Sequence, residues 1–224
     1  MRKIHDLTKR MFDILFGIIG IIVVSPLFIV IAIAIKLTSE GSIFFKQARL
    51  GINGKPYNIF KFRSMVENAE NMGTGLFNYE NDPRVTKIGS FLRNTSLDEF
   101  PQFINIIKGD MSFVGPRPPV SYELGDYKDF DDNLKKCFTV KPGVTGLAQV
   151  SGRNELSWNE KITFNLEYIE NFYKWGIIYD IKLIILTLFK VLKNEGSHEL
   201  AENSEQDMAR VKQNKEEQNN ETKL

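Results

Sequence analysis

The sequence predicts an α+β fold: a compact, mostly helical domain with a short β-hairpin, an N-terminal reentrant membrane helix before it, and amphipathic helices at the membrane interface. Three observations carry this expectation. One uncharged apolar stretch, residues 14–35, is interrupted near its middle by Ser25-Pro26. Alternating β-branched and aromatic residues flank Asn53-Gly54, a strong hairpin turn pair. Apolar residues recur at helical spacing at Phe100, Phe103, Ile104 and Ile107, and again between residues 173 and 192. At 224 residues the chain can bury one sizeable core. Residues 41–193 are therefore expected to form one compact domain, after a membrane element over 1–40 and before a polar tail over 194–224.

As a helix, the roughly 22 residues of the apolar stretch would extend about 33 Å, the hydrocarbon thickness of a bilayer. Its length, and the lack of a small-x-small site soon after it, argue against a cleaved signal peptide. Pro26 removes a backbone donor and crowds the carbonyl of Ile22, so a kink or break belongs there, and Ser25 is placed to hydrogen-bond a freed carbonyl. Basic residues flank both ends: Arg2, Lys3, Lys9 and Arg10 before, Lys36, Lys46 and Arg49 after. A spanning helix would put one cluster on the wrong side of the membrane, whereas a helix that turns at Ser25-Pro26 and returns keeps both cytoplasmic. A kinked single span is the alternative.

The next element is the hairpin, residues 42–62, whose alternation continues to Met65. Lys61 and Arg63, two residues apart, share one face of an extended segment. They form either an anion-binding pair or a solvated strand edge. Residues 65–69 read as helical, and residues 71–81, with Gly73 and Gly75, as a mobile loop.

The period through Ile107 predicts a helix over 97–108, stopped by Gly109, with Pro101 tolerated in its first turn. Asp98 and Glu99 would then lie at the helix N-terminus, where free amides favour negative charge and bind phosphate. Neighbouring helical residues point about 100° apart, so one carboxylate would face a substrate and the other a metal or supporting cation. Ser96 and Glu99 also have capping-box spacing, which leaves a purely structural role for Glu99 open. Arg93, just upstream, is placed to neutralise the pair or hold a phosphate. Arg117 sits in the GPRPP run at 115–119, whose prolines lower the entropy lost when a guanidinium binds an anion; a plain surface turn is the alternative. KPGVTG at 141–146 and SGR at 151–153 again set glycine turns beside cations, the second carrying Arg153. Neither matches the P-loop spacing, and no GxGxxG run occurs.

Composition narrows the chemistry. A formal net charge of +1 argues against nucleic acid as a partner. Cys137, the only cysteine, excludes an intrachain disulfide and a CxxC metal site and suits a reducing cytoplasm. His5 and His198 lie near opposite ends of the chain, leaving little material for a histidine triad or a multi-histidine zinc site. Catalysis, if present, falls to carboxylates.

Toward the C-terminus, Ile177, Ile181, Ile184, Leu188 and Leu192 form one helical stripe, with Lys174, Lys182, Lys190, Lys193, Trp175 and Tyr179 suited to the headgroup region. A helix packed in the core is the alternative. Residues 194–224 are polar, with little apolar periodicity, and are expected to be flexible or loosely helical.

Taken in order, Ser25-Pro26 within an apolar helix, KFRSM at 61–65, Arg93 with LDEFPQ at 97–102, KGDMSFVGPRP at 108–118, KPGVTG and SGR resemble the bacterial sugar transferases. These are the monotopic polyprenyl-phosphate phosphoglycosyl transferases. The resemblance covers about residues 5–192 and departs at Phe100, where the family usually carries leucine. It implies transfer of sugar-1-phosphate from a UDP-sugar to undecaprenyl phosphate in the inner leaflet, at the cytoplasmic face of a bacterial cell membrane, with release of UMP. The lipid-linked product would start a capsule, exopolysaccharide, O-antigen or glycoprotein glycan, handed on to later glycosyltransferases. It also implies Asp98 as the nucleophile of a covalent aspartyl-phosphosugar, Glu99 as its partner, and Mg²⁺ held by Asp98 and Glu99. Lys61, Arg63, Arg93 and Arg153 become the phosphate-binding candidates, and Arg117, in its proline frame, the candidate for the nucleotide side. A metal-dependent nucleotide-sugar hydrolase and a non-catalytic membrane adaptor for glycan assembly are the competing readings. The intact Asp98, Glu99, Arg93 and Arg117 count against the adaptor.

Overall fold

The computed structural model describes residues 2–73, 75–76, 82–152, 155–193, 211 and 213–214. Arg153, residue 74 and residues 77–81 of the expected loop, and nearly all of the 194–224 tail lie outside the described residues.

Helix α1, Arg2–Thr38, contains Pro26 and stays helical across it, so of the expected kink or break the chain does not break there. The reason is local. Pro26 leaves the Ile22 carbonyl without its backbone donor, and Ser25 Oγ donates to that carbonyl at 2.8 Å. The middle of the helix stands clear of the protein, with Ile22 and Val23 66% and 70% exposed. Both arms are held by the same domain. On the N-terminal arm Lys9 pairs with buried Asp180, Arg10 donates to the carbonyls of Ile106 and Ile107 at 2.6 and 2.7 Å, and Asp13 accepts from Ser112 Oγ and the Phe113 amide. On the C-terminal arm Ile31 and Ile35 pack on Phe62 and Leu92, and Arg63 Nη2 donates to the Ser39 carbonyl at 2.8 Å. Gly20 permits the close approach at the N-terminal arm, since a Cβ there would lie 2.7 Å from the Phe103 ring.

The expected hairpin forms from β1, Phe44–Leu50, and β2, Pro56–Phe62, antiparallel from Phe44 opposite Phe62 to Leu50 opposite Pro56. Asn53 and Gly54 take positive φ, as the turn signal requires. The helix expected over 65–69 does not form. Met65 bridges Val85, the Val66 amide donates to the Arg84 carbonyl, and a 3₁₀ turn occupies Ala69–Asn71. Arg84 imposes this course: paired with Asp82, its Nη1 donates to the carbonyls of Ala69, Met72 and Gly75. Tertiary hydrogen bonds outweigh a weak local helix preference.

After α2, Lys87–Asn94, capped by Thr86, the expected 97–108 helix appears in two pieces. A 3₁₀ turn covers Leu97–Glu99, and α3 covers Gln102–Lys108, ending at Gly109 with φ 95°. Pro101, unable to donate, stands at the junction. Strand β3, Ser112–Val114, pairs in parallel with β4, Gly143–Thr145, and α4, Asp132–Cys137, lies in the connection. Then come α5, Leu147–Ser151, α6, Trp158–Trp175, with a Ser157–Glu160 capping box, and α7, Ile177–Lys193.

The segment 173–192 is therefore the end of one helix and most of another, separated at Gly176, whose φ is 60°. The outward stripe keeps Ile181 and Leu188 of the expected one but differs at Ile177 and Ile184. Asp180 and Leu183 are buried, and Ile184 packs on the core of Val114, Tyr168 and Phe172. Ile178, Ile181, Ile185, Leu188 and Phe189 are exposed. Asp180 decides the rotation, because Lys9 and Tyr168 Oη (3.0 Å) both bind it in the interior. The apolar side of α7 thus faces away from the domain, as does most of α1.

Candidate active site

A cavity of 280 Å³ opens on one face of the hairpin. The period of two along the strands decides its floor: Phe45, Gln47 and Arg49 of β1 point into it, with Lys61, opposite Phe45, beside them. Arg93 from the last turn of α2 and Asp98 from the 3₁₀ turn line it, as do Arg117 and Trp158.

Asp98 owes its place to Ser96, whose left-handed φ of 56° turns the chain just before the 3₁₀ turn. Its side chain is buried, at 8% exposure. Burial pushes the Asp98 carboxyl up to about 6; Lys61 and Arg93 pull against that, and the Glu99 charge adds to it. Glu99 points elsewhere. Its Oε1 accepts from Lys61 Nζ at 2.6 Å, and it lines a small adjoining cavity with Gln102 and Arg117. Ser96 makes no side-chain cap, so no capping box forms. The two carboxylates have separate surroundings, one in the main cavity and one bound to a lysine.

The cations expected from the sequence converge here, except Arg153, which is not among the described residues. Lys61, Arg63, Arg93 and Arg117 all line the main cavity. Arg63 is partly spent on structure: Nη2 serves Ser39, while Nε and Nη1 are buried with no hydrogen-bond partner. Arg117 is positioned by backbone contacts. The Gly115 amide donates to Thr145 and the Gly143 amide to Pro116, and a Cβ on Gly115, Gly143 or Gly146 would collide with facing backbone. The glycine turns therefore serve strand-to-loop packing, and the arginine between prolines projects from a fixed frame.

Sequence reasoning missed Arg49, which it assigned to the membrane flank. Arg49 Nη1 donates to the Pro118 carbonyl at 2.9 Å and its Nε is buried without a partner. Burial pulls its pKa down, with Glu123 opposing and Arg117 adding to the shift. Its shared strand parity with Phe45 and Gln47 was the available signal. The buried Asp82–Arg84 pair, which shapes the Ala69 to Gly75 wall, was missed as well. Among the described residues no group of three or more His, Cys, Asp or Glu side chains gathers to hold a metal. A magnesium ion held by Asp98 and Glu99 would have to draw Glu99 toward Asp98 from its pairing with Lys61 and take the rest of its ligands from substrate phosphates and water.

A buried carboxylate in a cavity lined by Lys61, Arg63, Arg93 and Arg117 is chemically suited to an anionic substrate. Comparison with known proteins identifies the family. The sequence model of the family described as Bacterial sugar transferase matches residues 4–194. The UDP-glucose:undecaprenyl-phosphate glucose-1-phosphate transferase of Escherichia coli is 42% identical over 202 residues, covering 87% of this chain and 42% of that protein. The exopolysaccharide production protein ExoY of Sinorhizobium fredii is 39% identical over 212 residues, 88% of this chain and 91% of that protein. The undecaprenyl-phosphate galactose phosphotransferase of Salmonella typhimurium is 40% identical over 205 residues, 85% of this chain and 41% of that protein. The chain thus spans less than half of the longer relatives and nearly all of the shorter one.

Proposed function

The chain belongs to the bacterial sugar transferase family, and from that membership we propose that it transfers a sugar-1-phosphate from a UDP-sugar to undecaprenyl phosphate, releasing UMP. The observation that carries the reading is Asp98: buried, at the edge of a cation-lined cavity, in a domain that grips both arms of an apolar helix.

In the first step an Asp98 carboxylate oxygen attacks the phosphorus bonded to the sugar. The bond from that phosphorus to the bridging oxygen breaks, and UMP departs with the electron pair, leaving an aspartyl-phosphosugar. In the second step a phosphate oxygen of undecaprenyl phosphate attacks the same phosphorus and the Asp98 carboxylate leaves. Arg93, Arg63 and Arg117 hold the phosphates and disperse charge on the leaving group, and Lys61 holds Glu99 in place. Mg²⁺, held by Asp98 and Glu99 together with the diphosphate, would add Lewis-acid stabilisation of the phosphate oxygens.

The membrane element is read as reentrant. Lys9 and Arg10 are tied to the same domain as Ser39, so a helix with its two ends on one body enters and leaves by one face. Outward apolar residues on α7 lie flat in that face, and the active site then faces the cytoplasm at headgroup depth, where the lipid phosphate lies. The product would enter exopolysaccharide or capsule synthesis.

The experiment is transfer of radiolabel from a panel of UDP-sugars to undecaprenyl phosphate by the purified chain. Asp98→Asn should abolish transfer, and mass spectrometry should find a phosphosugar on Asp98 when lipid is withheld. Label release that does not need polyprenyl phosphate would replace the reading with a hydrolase. Substantial turnover by Asp98→Asn, free of wild-type enzyme, would remove Asp98 as nucleophile.

A further inference from the structure

The cavity has two ends, and the transfer chemistry occupies one. Lys61, opposite Phe45 on the hairpin, binds Glu99 beside Asp98 and marks the reacting end. The backbone of Arg49, four residues further along β1, lies about 13 Å from that of Phe45 along the strand, while its side chain and Arg117 share a small cavity with Lys61 and Glu99. Arg49 is bonded to the Pro118 carbonyl, and Pro118, Arg117 and Trp158 line one adjoining apolar cleft. Trp158 lines that cleft beside Leu50, the last residue of β1, and Glu123 binds the amide of Val120, which bridges Arg49; both also line the main cavity, at this end of β1.

Resting on the proposed transfer reaction, we infer that this remote end is the nucleoside subsite, with the pyrimidine base stacked on Trp158 and the ribose hydroxyls bound by Glu123. Attack by Asp98 on the sugar-bearing phosphorus leaves the second phosphate, the ribose and the base to run away from Asp98 along β1. They pass Arg117 and Arg49, cations suited to the departing phosphate, before reaching Trp158. An aromatic face is what any base stacks on, and a carboxylate is a natural acceptor for a ribose diol. Glu123 is fixed for that purpose, since its Oε2 accepts from the Val120 amide at 2.8 Å. Trp158 is held by Lys161, whose Nζ lies 5.0 Å from the ring centroid. The other aromatic side chains of the cavity do not suit the role. Phe62 is 1% exposed and stacked on Phe44, and Phe45 stands opposite Lys61 at the reacting end.

Fluorescence tests this directly, because the chain has two tryptophans and Trp175→Phe leaves Trp158 alone. Titrating UMP into the purified Trp175→Phe protein should quench its emission. By calorimetry Trp158→Ala should bind UMP about tenfold to a hundredfold more weakly, with affinity for inorganic pyrophosphate unchanged within about twofold. Trp158→Phe should recover most of the UMP affinity. Absence of quenching overturns the assignment, as does wild-type UMP affinity in Trp158→Ala, or an equal loss for UMP and pyrophosphate. Intact transfer activity alongside either of those last two results would overturn the subsite alone. Quenching by UMP in a protein that never transfers to polyprenyl phosphate would support the subsite and overturn the reaction.

Discussion

The ionisation of Asp98 should set the acid limb of the reaction. Its carboxyl, pushed up to about 6 by burial, must be ionised to attack phosphorus. About nine tenths of the free enzyme is ionised at pH 7 and just under one tenth at pH 5, so kcat/KM for the UDP-sugar should fall about tenfold over that interval. In a two-step exchange this parameter reports only events up to UMP release, so titration of the lipid phosphate does not enter. Lys61 is the largest influence opposing the upward shift, and Lys61→Met should therefore move the limb to higher pH. Removing Glu99's charge has the opposite sign: in Glu99→Gln the limb should move to lower pH, whatever the loss in maximal rate. The assay is initial-rate UMP release at subsaturating UDP-sugar between pH 4.5 and 8, at constant ionic strength. A profile flat down to pH 5, or a Lys61→Met limb displaced to lower pH, would refute the account of how this nucleophile is tuned.

Three other predictions concern the fold and its placement. A carboxyl whose folded pKa is raised destabilises the fold as pH climbs from its ordinary value through about 6, so Asp98→Asn should melt higher than wild type at pH 8 and converge with it below about pH 4; a constant difference in thermal scans would count against it. Lys9→Met strands Asp180 in the interior and should cost about 3–5 kcal/mol by chemical denaturation, with Lys9→Met/Asp180→Leu recovering much of it; independent, additive losses would mean that the pair is not coupled. Cysteines replacing Lys3 and Lys46 in a Cys137→Ser background should both be shielded from an impermeant thiol reagent in intact cells and both label after lysis. Labelling of either one in intact cells would establish a spanning helix.

Several elements were legible because their causes are local. The Asn53-Gly54 hairpin rests on a turn pair that tolerates positive φ, and the stop at Gly109 on the same freedom. The Ser25 to Ile22 bond follows from what a proline removes, and the adjacency of Asp98 and Glu99 is written in the chain. Strand parity likewise put Lys61 and Arg63 on one face, where both line the cavity. What the chain could not reveal depends on partners distant in sequence. Arg84 turned an expected helix at 65–69 into a bridge and a 3₁₀ turn by binding three carbonyls between Ala69 and Gly75. Lys61, 38 residues away, took Glu99 from the capping role its spacing allowed. Asp180, claimed by Lys9 from 171 residues away, rotated α7 so that Ile178 and Ile185 face outward in place of Ile177 and Ile184. Arg49 became a cavity residue only when β1 met the Pro118 carbonyl. Local backbone chemistry is decided within a few residues and can be read there, but a charged side chain takes whichever buried partner the folded chain brings within reach.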